Sequence, residues 1–245
     1  ALGLVAFELL DAGYPATFRL LAAGFAIFSI PIFRWVREQS VPSGRGSANP
    51  FASLISAWRR AARTPRVVRF LIGRFLYTDA INTLIGGFLA IFVLTELDLS
   101  TRAVNNLLAI AILAAIGGGL GGGALTRRLG ARRALRAVLL IWVAALAIGA
   151  LSAALRLTGL IWIVGLVGGF ALGATWATDR VLMLELSPPE HVGEFYGLYA
   201  TVGRFATILG PLVWAAVVDG LDWGRRAALL VLAGFILTGW WVVRE

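Results

Sequence analysis

Cysteine and lysine are absent from this chain of 245 residues, histidine and methionine each occur once, and only 14% of the residues are charged. Without cysteine there are no disulfides and no thiolate metal sites; the absence says nothing about compartment. A single histidine, His191, excludes paired-histidine metal ligation and reads as a solvated loop side chain. Without lysine, no phosphate-binding loop of the usual glycine-lysine form can be built, and no GxSxG nucleophile elbow occurs either. Neither an enzyme nor a cofactor nor a metal is expected. The scarcity of charge is the most informative lack. A soluble domain carries about 25% charged residues because water must solvate its surface. This chain is 59% hydrophobic with a mean hydropathy of +0.85, and its charges are bunched, leaving apolar stretches of about 20 residues, the length of helix that crosses the roughly 30 Å hydrocarbon core of a bilayer. It is an integral membrane protein.

Seven spans follow from hydropathy: 17–36, 68–94, 103–125, 135–155, 159–180, 194–218 and 225–243. Residues 1–13 contain Glu8 and Asp11 and lack a basic start, so they do not read as a signal peptide. The chain starts at Ala1, and more protein is expected before it. Three regions are expected: an extracytoplasmic segment with one span over 1–36, a cytoplasmic linker over 37–67, and a six-helix half-bundle over 68–245. The linker opens polar and turn-rich, from Ser40 to Ser47, then changes after Asn49-Pro50, a plausible helix start. There Phe51, Leu54, Ile55 and Trp58 fall on one helical face, with Arg59, Arg60 and Arg63 on the polar side. This pattern fits a short amphipathic helix on the membrane surface, or a soluble connector.

All 22 basic residues are arginine, and the net charge is +9. In a soluble chain that balance would suggest nucleic acid. Here the arginines stand at span ends, where they set topology and meet lipid headgroups, so the bilayer is the expected partner and nucleic acid is not. Loop 37–69 holds seven arginines and loop 126–136 five, against four (Arg102, Arg156, Arg225, Arg226) in the alternating loops. The first two loops and the C-terminus are therefore cytoplasmic. The lysine-free, Ala/Gly-rich composition favours a bacterial cytoplasmic membrane.

Polar residues divide the spans. Spans 17–36, 135–155 and 225–243 carry almost none, which predicts that every third helix faces lipid. Span 68–94 carries Arg74, Tyr77, Thr78, Asp79, Asn82 and Thr83; span 103–125 begins with Asn105 and Asn106; span 159–180 ends in Thr175, Trp176, Thr178, Asp179 and Arg180; span 194–218 holds Tyr196, Tyr199, Thr201, Arg204 and Thr207. Ionisable groups in hydrocarbon normally face a bundle interior or a watery cavity. Asp79 and Arg204 each lie about ten residues inside their spans, about 15 Å deep. They are expected within reach of one another or of one solute, as a transport site or as a static ion pair. Asp79, Asn82 and Thr83 share a face. Asp179 and Glu185, at the edge of a cytoplasmic loop, read as solvated or capping groups. Gly165, Gly169, Gly173 and Ala177 form a smooth stripe, and Gly117–Gly119 with Gly121–Gly123 another, suited to close helix packing or to sliding.

The stretches RFLYTDAINTL (Arg74–Leu84), GATWATDR (Gly173–Arg180) and EFYGLYATVGRFATILGPL (Glu194–Leu212) resemble the vacuolar-effluxer-like branch of the major facilitator superfamily, named for an autophagy-related vacuolar amino-acid exporter. The resemblance implies an all-α membrane bundle, helices six to twelve of twelve, whose N-terminal half is a missing partner. It implies transport of small solutes, amino acids among them, by alternating access, with protons as a candidate coupling ion at Asp79. Asp79, Asn82, Thr83, Asn105, Trp176, Tyr199 and Arg204 would line the cavity. Arg74, Arg127, Arg128, Arg132, Arg133, Asp179 and Arg180 would belong to the cytoplasmic loops and gate. One departure stands out. GGALTRRLGARR (Gly122–Arg133) resembles the superfamily's loop signature, but Arg127 stands where that signature has aspartate, so the family's cytoplasmic latch is either lacking or built differently. A non-transporting structural or partner-binding membrane module is the alternative from another class.

Overall fold

A computed structural model describes residues 14–36 and 50–244. Residues 1–13 and the first part of the linker, 37–49, lie outside the described residues, as do the side chains of Phe51 and Leu54. The described residues are mostly helical and contain no strand. Seven helical stretches among them are long and apolar enough to cross a membrane. The chain divides into two units, 1–48 and 49–245. The first contributes α1 (Tyr14–Trp35), an apolar helix containing Pro31, in which the Ser29 hydroxyl donates back to the Phe25 carbonyl at 2.7 Å and so carries no unpaired donor into lipid.

The second unit opens with α2 (Pro50–Ala62), the amphipathic helix. Its Ala57 and Ala61 are buried, Ile55 and Trp58 are exposed, and Arg60 pairs with Glu194 at the start of the sixth span. The next span is α3 (Pro65–Thr83), a π-helical turn Leu84–Phe88, and α4 (Leu89–Glu96). Then follow α5 (Thr101–Leu129), α6 (Ala131–Leu155) and α7 (Leu160–Leu186). The sixth span breaks into α8 (Val192–Phe205), α9 (Leu209–Ala215) and a π turn Ala216–Gly220, and α10 (Gly224–Val242) closes the unit.

Local chemistry sets most ends. Pro65 occupies the first turn of α3, where its missing N–H is no loss. The Ser100 hydroxyl accepts from the Ala103 N–H at 3.3 Å and caps α5. Gly130, at φ +80°, turns α5 directly into α6, a conformation that glycine adopts without strain. On the other side, Glu96 forms ion pairs with Arg225 at 3.6 Å and Arg226 at 3.4 Å, tying the ends of α4 and α10 together. The largest boundary difference from sequence is at α7, which continues past residue 180 to Leu186. Asp179, Arg180 and Glu185 look like a loop edge by charge alone, but a paired charge does not end a helix.

The tightest packing joins α5 to α7. A Cβ on Gly118 would run into the Phe170 backbone, one on Gly122 into Ala174, and ones on Gly169 and Gly173 into the backbones of Ala111 and Ala115. The glycine stripes therefore bring the two backbones together, and van der Waals contact is what stabilises such pairs where lipid competes for apolar surface. Helix α6 buries Leu135, Val138, Leu139, Trp142 and Leu146 on one face and exposes Leu140, Leu151 and Leu155 on the other. Helix α10 likewise buries Leu229, Leu232 and Ile236 and exposes Leu230, Leu237 and Trp241.

Candidate functional site

Two broken spans stand side by side at the centre of the second unit. The span containing α3 loosens at Leu84–Phe88, with Gly87 at φ +117°. The span containing α8 unwinds at 206–208, just before the Gly210-Pro211 pair, and Pro211 falls in the first turn of α9, a position proline tolerates. Asn82 Nδ2 donates to the freed Ala206 carbonyl at 2.8 Å, and Phe88 meets Trp214 edge-on at 5.2 Å between ring centroids. Such irregular backbone survives at membrane depth where protein buries it or where it borders a cavity.

Below the break lies a cavity of about 180 Å³. Its polar wall is Arg74, Thr78 and Asn82 from α3 and Thr175, Trp176 and Asp179 from α7, with Ala200 and Gly203 from α8. Positions 74, 78 and 82 recur every fourth residue and so share one face of α3. Arg74 Nη1 donates to Asp179 Oδ2 at 2.8 Å and to Thr78 Oγ1 at 3.0 Å. The Tyr199 hydroxyl donates to Asp179 Oδ1 at 3.1 Å, and the Arg74 guanidinium lies over the Tyr199 ring at 3.6 Å. Gly203 leaves room for that guanidinium, since a Cβ there would stand 2.8 Å from Arg74 Nη2. The Arg74 and Asp179 side chains retain 10% and 1% of their exposure. Two opposite charges about two turns or more from the start of α3 and the end of α7 are thus desolvated together. Such a pair is tolerated only with good geometry and further hydrogen bonds, and Thr78 and Tyr199 supply them.

This geometry corrects the sequence reading at three places. Asp179 is not a solvated loop group; it is wholly buried and holds Arg74. Arg74 is likewise no loop residue but the cation of the site. Asp79 and Arg204 do not pair. One position past Thr78, Asp79 is turned about 100° around α3, against Gly210 and Thr83; it is fully buried, its carboxylate turned to the backbone N–H groups of Ile208, Leu209 and Gly210 at the start of α9. Arg204 is exposed, because five residues past Tyr199 it is turned about 140° from that ring around α8. Thr83 donates to the Asp79 carbonyl rather than lining the cavity. Asn105 stands in the first turns of α5, toward the opposite membrane face from Arg74. Arg127, Arg128, Arg133 and Arg180 are exposed, and Arg132 is partly buried, beside Arg66 and Arg69 at the C-terminal ends of α7 and α10. Of the named residues, Asn82, Trp176, Arg74 and Asp179 line the cavity, and Tyr199 braces it. Thr78, Thr175 and Gly203 were not singled out for it, although Thr78 follows Arg74 by one turn. The Trp142 indole N–H, donating to Thr175 Oγ1 at 3.1 Å, gave no signal, since it sits in a span otherwise free of polar groups.

The class this defines is a multi-pass, all-α membrane protein with a charge-paired polar cavity inside its helical bundle. A family profile described as "Vacuole effluxer Atg22 like" matches residues 13–244. Among similar proteins, Autophagy-related protein 22 of Botryotinia fuckeliana is 28% identical over 237 residues, which cover 85% of this chain and 35% of that protein. Autophagy-related protein 22 of Pyricularia oryzae is 28% identical over 252 residues (91% and 37%). Autophagy-related protein 22-2 of Emericella nidulans is 29% identical over 259 residues (92% and 42%). This chain belongs to the Atg22-like vacuole effluxer family, and it spans between a third and about two-fifths of the length of these relatives.

Proposed function

We propose that the chain is the C-terminal half of a secondary carrier of major facilitator type, spans six to twelve, that moves small solutes and exports amino acids by alternating access. The observation that carries this reading is the cavity walled by Arg74, Thr78, Asn82, Thr175 and Asp179 inside a bundle whose core is mostly apolar. Intramembrane charge is costly and normally marks a solute or ion path, and carriers of this kind bind near the midplane beside discontinuous helices. Of the four spans expected to line the cavity, 68–94, 103–125, 159–180 and 194–218, three contribute to this wall and 103–125 does not. The second half of the cavity would come from the N-terminal half of the protein.

Arg74 is the group that would receive a solute carboxylate. In doing so the solute competes with Asp179, and the released Asp179 carboxylate is the group best placed to take up a proton. This role passes to Asp179 from Asp79, which faces the α8–α9 break instead of the cavity. Placement in a bacterial cytoplasmic membrane is part of the proposal and rests on composition alone, the named relatives being fungal; fractionation of the source cells decides it.

The test is counterflow of a labelled amino-acid panel into liposomes bearing the complete protein, with Arg74→Gln and Asp179→Asn alongside. Saturable exchange reduced tenfold or more by either change supports the reading. Folded wild-type protein that exchanges no amino acid removes that solute class. Failure across a wider solute panel removes transport and leaves the partner-binding module.

A further inference from the structure

A second cavity, of about 380 Å³, lies directly beyond the first along α3–α4 and α7. Its wall includes Leu84 and Leu89, Leu108 and Ile112, Leu146 and Leu172, and its only hydrogen-bonding side chains are the indoles of Trp142 and Trp176 among the described residues. The order along the chain shows how the two are stacked. On α3 the polar cavity takes 74, 78, 81 and 82, and the apolar one begins at 84. On α7 the polar cavity takes 179, 176 and 175, and the apolar one continues from 176 through 172 to 164. Trp176 is the one described residue that lines both. It is 49% exposed, so its indole stands in the opening rather than in the packed core. Beside it, Trp142 bonded to Thr175 closes the wall, and the π turn at Leu84–Phe88 begins where the lining changes from polar to apolar.

We propose that Trp176 is the specificity-determining partition of the solute path, dividing a polar chamber that takes the charged end of the solute from an apolar chamber that takes its body. This deepens the carrier reading and rests on it. With its head held at Arg74, a solute extends past the Trp176 ring, and the gap left by the ring limits how bulky an apolar group can follow. An aromatic ring suits that place because it is apolar on its faces and polar at its N–H edge, and because pocket shape discriminates apolar groups only through the volume available to them.

Two substitutions of opposite effect test it in the complete protein. Trp176→Ala opens the partition; Leu108→Trp fills the apolar chamber from the α5 side and leaves the polar wall untouched. Counterflow is measured for labelled alanine and labelled phenylalanine, with Trp176→Phe as the conservative variant. The phenylalanine-to-alanine ratio is expected to rise at least tenfold in Trp176→Ala, fall at least tenfold in Leu108→Trp, and stay within threefold of wild type in Trp176→Phe. A ratio unchanged in the first two variants while exchange persists overturns the inference and leaves the carrier reading intact. If Trp176→Ala does not fold, the Leu108→Trp ratio decides, and no fall there overturns the inference. Wild-type protein that exchanges neither solute nor any other overturns both together.

Discussion

Arg74 and Asp179 owe their place in a membrane interior to each other, and removing one charge is therefore worse than removing both. Asp179→Ala strands a buried guanidinium and should destabilise the protein by about 3–5 kcal/mol, read as a fall in thermal unfolding temperature in detergent, whereas Arg74→Gln with Asp179→Asn together should recover most of that loss. A double variant no more stable than the single one would show that the pair is not coupled. Arg204, by contrast, is exposed and unbraced by the site; Arg204→Ala should change stability by no more than about 0.5 kcal/mol. The sequence shows Arg74 and Asp179 as charges on two polar spans, but by charge alone Asp179 reads as the edge of a loop. It did not reveal which way each side chain turns. A 100° step separates Thr78, which faces the cavity, from Asp79, which does not, and depth alone made Asp79 and Arg204 look like partners. Rotation about a helix is settled by neighbours, here Gly210 and Thr83 on one side and Tyr199 on the other.

The glycine stripes of α5 and α7 separate essential from incidental positions within a single helix. Gly118 and Gly173 abut the backbone of the partner helix, while Gly117 and Gly119 have nothing within 4 Å of a built Cβ. Gly173→Val should cost at least the roughly 1–3 kcal/mol of core overpacking, since backbone rather than a flexible side chain stands in the way. Gly119→Ala should be neutral or slightly stabilising in the middle of a helix. Equal losses of folded protein from both, measured by size-exclusion yield after extraction, would mean that the seam does not depend on close approach. The stripe was visible as a four-residue repeat in sequence, and so were most of the spans, because hydropathy and helix length are local properties. The breaks at Leu84–Phe88 and 206–208 were less legible: Gly210-Pro211 signalled a disturbance nearby, but the unwinding falls a turn earlier, where Asn82 from another span supplies the partner for Ala206. The length of α7 was misjudged for the same reason, its paired charge having looked like a loop.

Across the whole molecule, the arginine excess predicts that the ends of α2, α3, α5 and α6 face the cytoplasm and that the turns at Asp98, Arg156 and Asp222, each left-handed at φ of 52–55°, face the other side. The absence of cysteine from the chain makes this orientation directly measurable. With cysteines elsewhere in the complete protein replaced, Asp222→Cys should react with an impermeant maleimide added outside intact cells, and Arg128→Cys only after permeabilisation; the reverse pattern would invert the topology. The same absence gives access to the central claim, that the polar cavity is where solute binds. Thr78→Cys places a thiol on the cavity wall beside Arg74. The decisive measurement is its rate of alkylation in reconstituted complete protein, with and without saturating transported solute. The account predicts that solute slows labelling at least fivefold and leaves the rate at Arg128→Cys unchanged. Labelling of Thr78→Cys at the same rate with and without a solute that the protein demonstrably exchanges would contradict it.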